Sequence, residues 1–140
     1  MSRIIKKLAM TLVVAVILVI SIAGIVFADD DTMEIVVSPS VLNLESNGGS
    51  ISIHTDVGYV VPPGAFQADV TLEVNGVLVE KVVTFPDTSG NLVVKADIDT
   101  VKEIIAVEGE ATFYLTYNDT HTTYTDDDTI QVIKVIPQKP

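Results

Sequence analysis

The chain contains no cysteine and no tryptophan. Without thiols it can form no disulfide framework, no thiolate metal centre and no lipid-modified cysteine anchor. Its two histidines, His54 and His121, lie far apart in sequence. A zinc site takes three or four ligands, so two solvated imidazoles are the plainer reading. Bases are scarce, with eight Lys and Arg against nineteen Asp and Glu. That balance opposes binding to nucleic acid or anionic lipid. No serine sits in a nucleophile elbow; Ser38, Ser40, Ser46, Ser50 and Ser89 all lie in turn contexts.

What is present is unevenly divided. Arg3, Lys6 and Lys7 precede an almost wholly apolar run over residues 8–27. Val26-Phe27-Ala28 then offers a cleavage site before Asp29. Residues 1–28 read as a signal peptide, or as an uncleaved membrane anchor, since the run is long enough to span a bilayer. Any membrane contact is expected only through residues 8–27. Either way the charge asymmetry sends residues 29–140 outward, to a secreted or cell-surface location. All nineteen acids lie in that part against five lysines, a net charge of −14.

Within residues 29–140 the strongest local signal is Asn75-Gly76 between two alternating runs, which predicts a hairpin with a two-residue turn. Val74 then pairs with Val77 and Leu72 with Val79. Val70, Leu72, Val74, Val77 and Val79 share one face, and Thr71, Glu73 and Glu80 the other. A lone hairpin is marginal in water and needs a partner sheet. Strands are expected over 33–37, 41–45, 50–55, 91–96, 111–117 and 129–136. Thr100 with Glu103 reads as a capping box opening a short helix, with Val101, Ile104 and Ile105 on its apolar face and Glu108-Gly109-Glu110 at its end. Residues 118–128 read as a polar connection with a weak strand at 121–124. The fold expected is all-β: an antiparallel immunoglobulin-like β-sandwich of seven to nine strands with one short helix. A single-sheet barrel is the alternative.

Four segments occur in order: Pro39-Ser-Val-Leu-Asn-Leu-Glu-Ser46, Leu92-Val-Val-Lys-Ala-Asp97, Val101-Lys-Glu-Ile-Ile105 and Asp128-Thr-Ile-Gln-Val132. Together they resemble an extracellular immunoglobulin-like module of secreted and surface proteins of archaea and bacteria. The resemblance spans nearly all of residues 33–135. It implies a β-sandwich used as a surface, spacer or accessory domain, with no catalytic residues to carry over.

Three constellations could carry chemistry. Asp126, Asp127 and Asp128, with Asp119 and Asn118 nearby in sequence, are the calcium candidates, because Ca²⁺ takes six to eight oxygens from flexible loops. Consecutive side chains on an extended backbone diverge, so a solvated turn competes with that reading. Glu73 and Glu80 share a face, as paired carboxylates of a glycoside hydrolase would, and equally as the wet face of a sheet. Tyr59, Phe66, Tyr114 and Tyr124 could form a sugar-stacking platform, with Tyr114 the residue to test. Asn118-Asp119-Thr120 matches the N-glycosylation sequon. The function expected is that of an exported, non-catalytic module with a structural or binding role toward a protein or cell-surface polymer. The alternatives are a calcium- or glycan-binding accessory module and a secreted hydrolase. No cofactor is required unless calcium binds.

Overall fold

A computed structural model describes residues 32–136; the expected leader at 1–28 lies outside them. The β-rich unit begins at Met33. Among the described residues are nine strands: β1 (Ile35–Ser38), β2 (Val41–Asn43), β3 (Ser50–Gly58), β4 (Asp69–Val74), β5 (Val77–Leu78), β6 (Val82–Pro86), β7 (Asn91–Asp97), β8 (Gly109–Asn118) and β9 (Thr123–Ile133). One helix, α1 (Ile98–Ile105), joins β7 to β8. One sheet has the order β1-β3-β7-β6 and the other β2-β9-β8-β4-β5. The described residues therefore form an all-β fold of two sheets with one short helix.

Period-2 alternation does most of the specifying. On β8, Ala111, Phe113, Leu115 and Tyr117 are buried and the residues between them face outward. Ile51, Ile53, Leu92 and Val94 of one sheet join them, with Leu72, Val74, Ile130 and Val132, in one core. Burying each such side chain contributes about 1.5–3 kcal/mol. Among the described residues no buried side-chain nitrogen or oxygen lacks a partner.

The expected turn forms. Asn75 and Gly76 have φ of 50° and 80°, both positive as a type I′ turn requires, and Val74 pairs with Val77. Its second arm is shorter than the alternation suggests. β5 stops at Leu78, Val79 stays buried, and the chain crosses to pair Val82–Pro86 with β7 in the other sheet. Val77 lies at the rim, half exposed, although its parity points inward.

Four further expectations are corrected. The sandwich is not wholly antiparallel: β2 runs parallel to β9. Only two residues separate β1 from β2, so the chain changes sheets without reversing. The helix is capped by Asp97, whose carboxylate accepts from the Thr100 N–H at 3.1 Å; Thr100 lies one turn inside. The helix ends at Ala106, in the left-handed region at φ 60°, ahead of Gly109, which opens β8. Residues 125–128, expected in a polar connection after a weak strand at 121–124, belong to β9, which opens at Thr123.

Candidate functional site

The acidic run illustrates how a strand distributes its side chains. β2 covers β9 only at residues 131–133, so residues 123–130 run along an open side, against β1. Asp126 and Asp128 sit opposite Leu115 and Phe113, on the inward parity, while Asp127 opposes Tyr114 and is exposed. The Ile35 N–H donates to Asp126 Oδ2 and the Val37 N–H to Asp128 Oδ2, both at 2.9 Å. Asp56 Oδ1 accepts the neighbouring Glu34 N–H at 2.8 Å. β1 is an edge strand, and its outward amides would otherwise form a template for pairing with another chain. Two aspartates close that edge.

Asp119 does something else. It lies in the loop after β8, and its Oδ1 accepts the N–H groups of His121 at 2.9 Å and Thr122 at 2.7 Å. Those two bonds hold its carboxyl below the usual carboxylate range. A depressed folded value means stability that is present above the unfolded carboxylate value and lost as pH falls through the folded one. An NMR titration of the Asp119 carboxyl should give a midpoint below the ordinary aspartate value, and Asp119→Asn should flatten the corresponding acid limb of the stability curve.

The four calcium candidates thus serve an edge strand, a solvent-facing position and a loop. Among the described residues no group of three or more Asp, Glu or His is arranged to hold a metal ion. Millimolar Ca²⁺ is expected to leave the melting temperature of the protein unchanged; a rise reversed by chelator would contradict this.

The other candidates also separate. His54 is exposed on β3 and His121 exposed beyond β8. Glu73 stands on the outer face of β4, whereas Glu80 lies in the crossover after β5. Tyr114 is 39% exposed on the outer face of β8. Tyr59 packs on the core, and Tyr124 packs there too, stacked on Tyr117 with ring centroids 5.9 Å apart. Phe66 belongs to neither group: it is 99% exposed on the loop between β3 and β4. The proposed aromatic platform therefore divides between a sheet face, the core margin and a loop. A shallow open depression lies over Glu108, Glu110 and residues 131–135, without a walled cleft.

The segment that sequence reading undervalued is residues 59–68. Residues 57–68 contain no Asp, Glu, Lys, Arg or His, in an otherwise strongly acidic domain. The loop is braced at both ends. The fully buried Tyr117 sends its hydroxyl into it, donating to the Gly58 carbonyl at 3.0 Å and accepting the Val60 N–H at 2.8 Å. Burial pushes that phenol above its ordinary pKa, while the bond to Val60 acts the other way. The Tyr59 N–H reaches Gly90 O, the Ala65 N–H reaches Pro62 O, and the Ala68 N–H donates to Thr84 Oγ1 at 3.0 Å. Gln67 Oε1 accepts the Thr84 N–H in return. Phe66 is thus presented on a held loop. The run of Pro62-Pro63-Gly64 marks the loop in the sequence, but nothing local shows that Phe66 has no seat.

No protein-family model matches the chain, and a search of curated proteins finds no match either.

Proposed function

We propose that this chain is an exported, non-catalytic module of immunoglobulin-like architecture that binds a protein or polymer partner outside the cell through the loop at residues 59–68. The observation that carries the binding reading is Phe66, 99% exposed on a braced loop without charged residues. Leaving a phenylalanine in water forgoes about 1.5–3 kcal/mol that an apolar pocket on a partner would recover. Bracing removes part of the ordering cost that a mobile loop would meet on binding. A domain of net charge −14 repels acidic neighbours, and an uncharged tip is where they can approach it most closely.

Strand order supports the immunoglobulin-like part. Lettered A, A′, B, C, C′, D, E, F and G along the chain, the sheets read A-B-E-D and A′-G-F-C-C′. That is the order of immunoglobulin-type sandwiches with one added strand at each outer position. Export is supported by the basic, apolar and small-residue succession of residues 1–28.

N-terminal sequencing of the full chain after cell fractionation tests export. Asp29 as the first residue of an external fraction supports a released domain, an intact Met1 supports a tethered one, and a cytosolic product defeats the reading. Phe66→Ser tests the loop: cross-linking on intact cells should lose a discrete adduct, with affinity reduced roughly ten- to 150-fold. The melting curve should stay unchanged, because the side chain touches solvent only. An adduct that survives Phe66→Ser at full strength would move the binding surface elsewhere.

A further inference from the structure

Asn118 closes β8 and is exposed, opposite Asp69 on β4 and Thr123 on β9. Asp119 and Thr120 follow, completing the acceptor triplet Asn-X-Thr. Asn118 Oδ1 accepts the Thr120 N–H at 3.1 Å, and Thr120 has a positive φ of 84°. The amide oxygen is thereby occupied from the backbone side, leaving the Nδ2 group directed away from that bond. Thr120 is itself exposed, two residues along the same turn. The turn is held by Asp119, which takes the His121 and Thr122 amides.

We propose that Asn118 is an N-glycosylation site, modified by a transferase that uses a polyprenyl-phosphate-linked oligosaccharide donor. In the step, Asn118 Nδ2 attacks the anomeric carbon of the first sugar. The C–N bond forms, the bond from that carbon to the phosphate oxygen breaks, and the phosphate leaves with the electron pair. Nδ2 gives up one proton to a base of the transferase. The inference rests on the export reading, because the acceptor must reach the compartment where such donors present their sugars. The glycan would project from the end of β8, beside the start of β4 and the loop that precedes it.

The test is mass spectrometry of the full chain's product recovered from its source cells, alongside fractionation and N-terminal sequencing. The peptide carrying Asn118 should show a ladder of sugar-sized mass additions. Asn118→Gln and Thr120→Ala should each abolish the ladder, and Thr120→Ser should retain it. An exported product with an unmodified Asn118 peptide overturns the inference and leaves the export reading standing. A product confined to the cytosol overturns both. A ladder that persists in Asn118→Gln places the sugar elsewhere and overturns the assignment.

Discussion

Replacing both Asp126 and Asp128 with alanine is expected to destabilise the domain by about 2–4 kcal/mol, since hydrogen bonds to charged groups contribute about 1.5–3 kcal/mol each and are partly solvated here. The two carboxylates are the acceptors for the Ile35 and Val37 amides on the outer edge of β1. Their loss removes an inter-sheet tie that backbone pairing does not supply, because β1 pairs only with β3. Urea denaturation gives the magnitude, and native-state hydrogen exchange gives the place. Ile35 and Val37 amides should exchange far faster in the double variant, while β8 amides retain most of their protection. Asp127→Ala is the control for either single replacement: one carboxylate removed, outward side chain, and an expected effect within about 0.5 kcal/mol. Equal effects of Asp127→Ala and Asp126→Ala would mean that net charge and not the tie to β1 is responsible. The carboxylates also guard against association, so the double variant should gain a concentration-dependent tendency to pair through β1.

Phe113→Ala should cost about 3–5 kcal/mol, the usual range for truncating a buried aromatic. Phe113 is fully buried in the middle of the second sheet, with Val74 on one side and Asp128 on the other in register. Both sheets contribute to the core around it, and strands paired on either side prevent the gap from closing. Typical domains have only 5–15 kcal/mol in total, so this variant should lose a large share of its stability. Phe113→Leu, which restores much of the volume, should recover more than half of the loss. Equal midpoints for Phe113→Ala and the parent would show that β8 is not the central strand of its sheet.

How far the chain could be read before folding depends on whether a signal was local. The Asn75-Gly76 turn was legible because its positive φ values are demanded by two adjacent residues. The alternation along β8 was legible because one face of an antiparallel strand is dry and the other wet. The helix was legible in its apolar spacing, but its start was shifted by three residues. Asp97 and Thr100 are both competent caps, and the burial of Ile98 against the core selects between them. The strand nature of residues 125–128 is hidden in the sequence because three consecutive aspartates outweigh the alternating threonines at 123, 125 and 129. Aspartate is disfavoured in strands until it finds amides to accept. Those amides belong to β1, about ninety residues earlier in the chain.

By itself the sequence determined the class of this protein: short alternating strands, no thiol chemistry, an acidic body and an apolar leading segment. These are properties of composition and of near neighbours, and they survive any arrangement of the strands. The tertiary structure alone decided that β2 lies parallel to β9, that two aspartates hold an edge strand, and that Phe66 stands in water. Each of those depends on which distant backbone comes within about 3 Å of a given atom, and hydrophobic spacing along a chain carries no record of that.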